Sequence, residues 1–294
     1  MTNDLVHVVD GKAQLLLHPG QTRAWDSGRR FVFVIAGTQS GKTTFGPWWL
    51  YRETKNKGPG DYLAVTATYD LFKLKMLPEM LRVFTNIIPG WTWAAGDRVL
   101  TSGKGDEQKR IILRSANSPE GLESATAKGA WLDECGQDAF RLESWEAVQR
   151  RLALAQGRVL GTTTPYNLGW LKTEVYNRWR SGNHDYHVIQ FRSTMNPTFP
   201  VDEYERAKSV LPTWKFKMFY DGEFSRPAGM IYGDFDEDIH VIAPFDIPAA
   251  CQSHRCCFSD FAPPVYLTTF SCSAFFLTPS ACCWVDLSPS SDSR

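Results

Sequence analysis

Phe31-Val-Phe-Val-Ile-Ala-Gly-Thr-Gln-Ser-Gly-Lys-Thr-Thr44 decides the fold of this chain. An apolar run of β-forming residues passes into a glycine-bearing loop, which leads into Lys42 and Thr43. In this order a strand carries the loop to the edge of a sheet, backbone N–H groups wrap phosphates, and the next helix points its positive end at them. Lys42 would reach the β- and γ-phosphates of a nucleotide, and the Thr43 hydroxyl would ligate Mg²⁺.

The loop departs from the usual G-x-x-x-x-G-K-[ST] pattern at its first position, where Ala36 stands in place of glycine. We expect Gly37, one place later, to supply the tight turn. A chance match in a polar loop is the alternative, but the apolar run before it and the helix-compatible run after it favour nucleotide binding. The predicted nucleotide-binding residues of the loop are Gly37, Thr38, Gln39, Ser40, Gly41, Lys42 and Thr43.

Length and composition limit the classes of protein to which the chain can belong. Its 294 residues suggest two domains, or one large α/β domain with an appendage. Lys+Arg and Asp+Glu are both 32, so a nucleic-acid surface would have to be a local patch. No apolar run reaches membrane-spanning length, and the N-terminal residues lack the pattern of a secretory signal. We therefore expect a cytoplasmic protein with no membrane partner.

Strand and helix patterns alternate along the first two thirds of the chain, which predicts a mostly parallel α/β sheet flanked by helices. The predicted strands are 30–37, 62–67, 110–114, 129–134, 158–164 and 186–191. The predicted helices are 42–56, 71–84, 141–155, 171–180, 202–211 and 213–220. Residues 196–249 are richer in Pro, Gly and aromatic residues and suggest a small lid or linker subdomain.

An acidic pair, Asp133-Glu134, ends the apolar run that starts at Gly129. In phosphate-loop enzymes such an Asp holds Mg²⁺, and an adjacent Glu can activate the water that attacks the γ-phosphate. A solvated strand cap is the alternative for the pair alone. Following a phosphate loop, however, the pair predicts ATP hydrolysis, with ATP and Mg²⁺ bound.

Two further groups of polar residues could serve the same site. Thr162, Thr163 and Thr164 end the next predicted strand, where their hydroxyls could contact the γ-phosphate or the attacking water and report the nucleotide state. The alternative is an ordinary threonine-rich strand end before Pro165. Gln21 precedes the loop, and a glutamine amide can pair with adenine through both its donor and its acceptor.

Together these motifs resemble, in order, the large subunit of tailed-bacteriophage terminases, the DNA-packaging motors. The resemblance covers about residues 15–245. It is carried by Gln21 in Pro-Gly-Gln, the loop Ala36–Thr43, the strand Tyr62–Ala67, Ser118–Glu123 leading to Trp131–Glu134, Thr162–Pro165 with Gly169-Trp170, and Gly229–His240.

The resemblance implies a P-loop NTPase of the additional-strand, catalytic-glutamate type. Its Thr162–Thr164 strand would lie between the phosphate-loop strand and the Asp133 strand. By matching position, Lys42 and Thr43 bind phosphate and Mg²⁺, Asp133 holds the metal, Glu134 is the catalytic base, and Thr162–Thr164 couple hydrolysis to movement. The implied partners are double-stranded DNA, a portal or procapsid, a small terminase subunit, and further copies of this chain in a ring.

Family members often carry a basic residue inside the phosphate loop or shortly before the acidic strand. Here the loop positions are Thr38, Gln39 and Ser40, and Lys128 is the basic residue before the acidic strand. A charge-stabilising arginine would have to come from elsewhere, and the candidates are Arg150, Arg151 and Arg158. Solvated surface charges are the favoured interpretation of all three.

The composition changes abruptly near residue 250. Six of the seven cysteines lie after residue 250, and the same segment contains neither Lys nor Glu. The family continues into an RNase-H-like nuclease domain, and Asp260 could be its first carboxylate, but a complete site cannot be built from what remains. We therefore predict a P-loop ATPase core at 1–195, a lid at 196–249, and an aberrant or truncated nuclease start at 250–294. A reading-frame shift or a truncated prophage gene would explain the change in composition near residue 250.

The C-terminal cysteines leave other interpretations open. Cys251, His254, Cys256 and Cys257 could form a zinc site, although their spacing is not a standard one. A disulfide framework is less favoured in a cytoplasmic protein. The sequence thus predicts an ATPase that drives viral DNA into a procapsid, without nuclease activity. The alternatives are a helicase-like P-loop motor and a non-enzymatic prophage relic.

Overall fold

The computed structural model describes residues 5–9, 12–117 and 126–226, and three short strands within 252–285. The described residues fall into two compact units, a first unit within Met1–Gly229 and a second within Met230–Arg294. Several residues singled out above lie outside the described ranges, namely Ser118–Glu123, Gly229–His240, Cys251 and Asp260.

The first unit begins with a short hairpin and a helix that the sequence did not predict. Strands β1 (Val6–Val9) and β2 (Lys12–Leu15) pair antiparallel, and helix α1 follows at Pro19–Asp26. Pro19-Gly20 would ordinarily indicate a turn. Here proline occupies the first helical position, where its missing N–H costs nothing, and the His18 side chain caps the helix.

An eight-stranded sheet forms the centre of the first unit. Its strands in chain order are β3 (Phe31–Ala36), β4 (Gly60–Thr66), β5 (Trp91–Ala94), β6 (Val99–Ser102), β7 (Lys109–Ser115), β8 (Ala127–Asp133), β9 (Arg158–Thr163) and β10 (Tyr186–Phe191). Their order across the sheet is β10-β3-β9-β8-β4-β7-β6-β5. The first six strands in that order are parallel, and the unpredicted β5–β6 hairpin adds an antiparallel edge.

This order confirms the predicted fold class, because β9 lies between the phosphate-loop strand β3 and the acidic strand β8. In register, Val34 is opposite Thr162 and Thr162 is opposite Asp133. The carboxyl ends of three adjacent parallel strands therefore meet at one edge of the sheet, which is where α/β proteins place their ligands.

Helices cover both faces of the sheet, as predicted. Helix α2 is Lys42–Lys57; α3 spans residues 69–87, with α-helical turns at Tyr69–Leu71 and Leu77–Leu81 and π-helical turns at Phe72–Met76 and Arg82–Ile87; and α4 is Leu142–Leu152. Helix α5 spans 171–180, α6 is Val201–Val210, and α7 spans 213–221. The helices rest on two cores, one on each face of the sheet. Alternate residues of β3 enter opposite cores, as expected for a strand buried on both faces.

The close packing of α2 on β8 brings the phosphate loop to the acidic strand. A Cβ atom placed on Gly46 would lie 1.9 Å from Cε2 of Trp131, so only glycine allows the helix to come this near. The N-terminus of α2 is thereby fixed beside the end of β8.

The described part of the predicted lid, residues 196–226, lies in the first unit. Its own small core consists of Phe199, Tyr204, Ala207 and Phe216. In the second unit, β11 (Gln252–Cys257), β12 (Tyr266–Ser271) and β13 (Cys283–Val285) form an antiparallel sheet in that order. The bounds of the three predicted domains stay predictions. Among the described residues, no helix is long and apolar enough to cross a membrane.

Candidate nucleotide-binding site

The phosphate loop turns directly into helix α2 at Lys42. Gly41 caps the helix in a left-handed conformation with φ of 83°, and Gln39 is also left-handed at 53°. The first main-chain hydrogen bond of the helix runs from Phe45 N to Gly41 O at 3.2 Å. The amides of the first turn therefore have no acceptor within the helix and form a ready site for anions.

Lys42 is buried in the loop, with its ammonium group held by oxygen atoms. Its Nζ donates to Ala36 O at 3.0 Å, to Gly37 O at 2.6 Å and to Thr164 Oγ1 at 3.1 Å. Burial lowers the pKa of Lys42 to about 8, although Glu134 and Asp133 favour the charged form. This is the arrangement expected of a lysine that exchanges loop carbonyls for phosphate oxygens.

Gly37 has a different role from the predicted one. The left-handed turns are at Gln39 and Gly41, not at Gly37. A Cβ atom on Gly37 would lie 2.2 Å from Tyr220 O and 2.4 Å from Ser193 Oγ. Glycine is needed there because the chain of the lid passes against the loop.

Asp133 connects the loop to the acidic strand. Thr43 Oγ1 lies 3.2 Å from Asp133 Oδ2 and 3.3 Å from Oδ1, and Thr162 Oγ1 donates to Oδ1 at 2.8 Å. Trp131 Nε1 in turn donates to Thr162 Oγ1 at 2.8 Å. Burial, and then the charge of Glu134, raise the pKa of Asp133 to about 7. A carboxylate and a hydroxyl at this spacing are hard oxygen ligands of the kind that Mg²⁺ takes.

Glu134 follows β8 in a strained backbone conformation. Its φ is 53°, which is unusual for a residue with a side chain, and its N–H donates to Thr162 O at 2.7 Å. Tyr166 donates its hydroxyl hydrogen to Glu134 Oε2 at 2.9 Å, and Lys75 Nζ lies 3.8 Å from Oε1. Such strain persists where the surrounding structure imposes it, commonly at functional sites.

Tyr166 and Lys75 were not identified from the sequence. Tyr166 follows Pro165 in the loop after β9, a position that could have suggested it. Lys75 lies on α3 two residues after Lys73, and nothing in the sequence distinguishes the two lysines.

The three predicted coupling threonines have three different surroundings. Thr162 bonds Asp133, as described above, and Thr163 Oγ1 accepts from Gly136 N at 2.9 Å. Of the three, Thr164 alone lines the cleft, where it contacts Lys42.

Gln21 hydrogen-bonds the backbone of the phosphate loop. Its Nε2 donates to Gly41 O at 3.0 Å, its Oε1 accepts from His18 N at 3.2 Å, and a His18 ring nitrogen lies 3.0 Å from Ser40 O. His18 and Gln21 also line a recess of about 330 Å³ beside the loop. Trp25, on the same helix, packs against Phe45. The adenine contact of Gln21 stays a prediction.

Ser193 and residues of the lid segment also hydrogen-bond the loop, through contacts that were not predicted from the sequence. Thr38 N donates to Phe219 O at 2.7 Å, and Ser193 Oγ donates to Thr38 O at 2.6 Å. Asn196 Nδ2 donates to Gln39 O at 2.8 Å. The conformation of the loop is therefore tied to residues 193–219.

These groups surround one open cleft of about 630 Å³. Its lining residues are Thr38, Gln39, Ser40, Gly41, Lys42, Thr43, Thr44, Leu74, Lys75, Pro78, Glu79, Glu134, Thr164, Tyr166, Asn196, Thr198 and Phe199. Arg158, a candidate charge donor from the sequence, starts β9 and bonds Glu53 at 2.7 Å, away from this cleft. In the parts of the chain that are described, no group of three His, Cys, Asp or Glu side chains could hold a metal. The zinc site with Cys251 stays a prediction.

A strand–loop–helix with this lysine, facing an Asp-Glu pair across an inserted strand, defines a P-loop NTPase of the additional-strand type. Similarity to solved structures, given below, assigns this fold to a narrower class of proteins. No family model matches the chain, and no curated protein matches it.

Solved structures do resemble it. The large terminase ATPase domain of Thermus phage P74-26 is 19% identical, with a TM-score of 0.59, over 71% of this chain and 94% of that one. The large terminase of a second, thermophilic bacteriophage is 14% identical, with a TM-score of 0.61, over 86% of this chain and 64% of that one. The HK97 large terminase is 11% identical, with a TM-score of 0.59, over 92% and 64%. The chain has the fold of phage large-terminase ATPase domains and spans 64% of the last two of these chains.

Proposed function

We propose that this chain hydrolyses ATP and that, as a large terminase subunit, it uses this reaction to drive double-stranded viral DNA into a procapsid. The observation that carries the proposal is Glu134, buried and strained, one residue beyond the Asp133–Thr43 pair at the mouth of the phosphate-loop cleft. The structural likeness adds support, because the large terminase of the second, thermophilic bacteriophage has been solved in complex with ADP and with ATP-gamma-S.

The chain's own residues supply each task that hydrolysis requires. Lys42 and the first-turn amides of α2 bind the phosphates, and Thr43 and Asp133 would hold Mg²⁺. That ion, when bound, neutralises charge on the phosphate oxygens. Glu134 accepts a proton from the attacking water, and the Tyr166 hydroxyl fixes the orientation of that carboxylate.

Steady-state ATPase measurements on Glu134→Gln test this assignment. We expect kcat to fall by about 10²-fold or more, because the amide cannot accept the proton, while ATP affinity changes little. Glu79→Gln is a matched control, because Glu79 lines the same cleft but is bound by Arg82 at 2.7 Å. Turnover by Glu134→Gln at the wild-type rate would contradict the proposal.

The motor role requires partners, which we propose to be DNA, a portal-bearing procapsid, a small terminase subunit, and a ring of copies of this chain in the host cytoplasm. Contacts to DNA phosphates would make binding fall steeply with salt. DNA packaging into procapsids, dependent on the small subunit and lost in Glu134→Gln, tests this role. Unaided separation of DNA strands would instead indicate a helicase. Near-zero turnover unaffected by Glu134→Gln would indicate a relic.

The nuclease prediction has its own test, since Asp260 lies outside the described residues. We propose that the chain does not cut DNA. Mn²⁺-dependent nicking of a plasmid by the wild type, lost in Asp260→Ala, would contradict this.

A further inference from the structure

Lys75 is a positively charged residue of the cleft that has no role in the proposal above. It lies on the face of α3 that lines the cleft together with Leu74, Pro78 and Glu79. Its side chain is 53% exposed, and its Nζ lies 3.8 Å from Glu134 Oε1. That distance makes a loose ion pair, longer than a hydrogen bond, so the ammonium group is free to move to a stronger partner.

The cleft holds few positive charges for a site that would bind a triphosphate. Among its described lining residues the cations are Lys42 and Lys75, and the loop positions Thr38, Gln39 and Ser40 are neutral. Lys42 donates to the carbonyls of Ala36 and Gly37 and to the hydroxyls of Ser40 and Thr164. Lys75 is therefore the cation that faces the side of the cleft on which Glu134 lies.

The position of Glu134 sets where the reacting phosphate must be. A general base lies about 3 Å from the water it activates, and that water lies roughly 3–3.5 Å from the atom it attacks. A single water molecule would therefore separate the γ-phosphate from the Glu134 carboxylate. Since Lys75 already lies against the same carboxylate, a rotation of its four-carbon side chain places Nζ on a γ-phosphate oxygen.

We propose that Lys75 is a catalytic residue that contacts the γ-phosphate and stabilises its negative charge during hydrolysis. This proposal rests on the ATPase function proposed above. Water donates a proton to Glu134 while its oxygen bonds to the γ-phosphorus. The bond from that phosphorus to the β–γ bridging oxygen breaks, its electron pair leaves with ADP, and inorganic phosphate is released. Lys75, supplied by α3 in the same chain, takes the place of the basic residue that the phosphate loop lacks.

A purely structural role makes a different prediction. If Lys75 only restrained Glu134, removing it would leave turnover unchanged or raise it, because Tyr166 would still hold the carboxylate. A catalytic role predicts a loss of turnover that ATP affinity does not share, because the contact forms mainly in the transition state.

The experiment compares Lys75→Ala, Lys75→Arg and Lys73→Ala in the full chain. Lys73 is an exposed lysine on the same helix that does not line the cleft, so it controls for charge and helix stability. Steady-state ATPase gives kcat and KM, and thermal unfolding confirms that each variant folds. Trapping of ADP with aluminium fluoride, a planar mimic of the transferred phosphoryl group, gives a second readout.

We expect Lys75→Ala to lower kcat by about 10²-fold, with KM changed less than about 3-fold, and to lose ADP–aluminium fluoride trapping while still binding ADP. Lys75→Arg should recover much of both, and Lys73→Ala should match the wild type. Unchanged or increased kcat in folded Lys75→Ala, with Glu134→Gln inactive, would overturn this proposal alone. A wild-type chain that neither hydrolyses ATP nor responds to Glu134→Gln would overturn the ATPase function as well.

Discussion

Asp133 and Lys42 are both buried in the same network, and burial disfavours the charged form of each. Asp133 also lies beside a second carboxylate, Glu134. The negative charge of Glu134 further disfavours the ionised form of Asp133 at the end of β8. In the function proposed above, a bound metal ion and phosphate would offset these unfavourable terms.

This arrangement gives the stability of the chain a pH dependence. Folding raises the pKa of Asp133 from 3.8 to about 7, so the folded state holds a proton that the unfolded state has released. The contribution of Asp133 to the free energy of unfolding therefore falls as pH rises from about 4 to 7. In Asp133→Asn this contribution disappears.

We expect Asp133→Asn to be more stable than the wild type by about 1–3 kcal/mol at pH 8, and nearly equal to it near pH 4, in chemical denaturation without nucleotide. The same variant should lose the stabilisation that ATP with Mg²⁺ gives the wild type. A variant that is less stable than the wild type at both pH values would show that the buried charge is well compensated.

At the scale of residues, the sequence predictions came from two short motifs, Lys42-Thr43 and Asp133-Glu134. Each motif could be identified because its two residues are adjacent along the chain. Lys75 and Tyr166 reach Glu134 from α3 and from the loop after β9. Only the folded chain shows that, of the lysines on α3, Lys75 faces the cleft.

At the scale of elements, the contact between α2 and β8 positions the site. Gly46 meets the indole of Trp131, and the same indole donates to Thr162, which orients Asp133. The packing of α2 and the orientation of Asp133 therefore depend on the same indole. Propensity would argue against a glycine followed by Pro47 inside a helix, but here close approach outweighs propensity.

Gly46→Ala tests this packing. The added methyl group must displace the Trp131 ring, so we expect the free energy of unfolding to fall by about 1–3 kcal/mol and ATP affinity to fall as well. Gly28→Ala is the matched control: a Cβ atom there has nothing within 4 Å, and we expect a change within about 0.5 kcal/mol. Equal stability of the two variants in urea denaturation would contradict the packing argument.

Element prediction succeeded where periodicity was long and regular. Strands β3, β4 and β7 to β10 and helices α2 to α7 follow the predicted order, with ends shifted by a few residues at most. The hairpin β5–β6 consists of two strands of four residues each, too short for their alternation to stand out. Helix α1 was not predicted because its first residues, Pro19-Gly20, are equally compatible with a turn.

At the scale of the molecule, the cleft belongs entirely to the first unit. Its lining residues all lie between Thr38 and Phe199, and the described core residues are in the same unit. The position of β9 between β3 and β8 was predicted through the resemblance to terminases, because propensities carry no information on which parallel strands are neighbours.

A chain ending at Arg226 tests this independence. Since no cleft residue is lost, we expect it to fold cooperatively and to bind ATP with a Kd within about 3-fold of the full chain. Isothermal titration and thermal unfolding of both forms provide the measurement. A shortened chain that unfolds at a clearly lower temperature would show that the second unit stabilises the first.

The backbone contact between the phosphate loop and the lid has a mechanical consequence. Phe219 O receives a hydrogen bond from Thr38, and Gly222 passes so near Ala36 that a Cβ atom would lie 2.6 Å from its Cα. A tension applied to the chain beyond Arg226 would therefore reach the loop across only a few residues, with little slack to absorb it. In the motor function proposed above, load on the chain and nucleotide binding would therefore act on the same contact, and we expect an opposing force to slow ATP turnover.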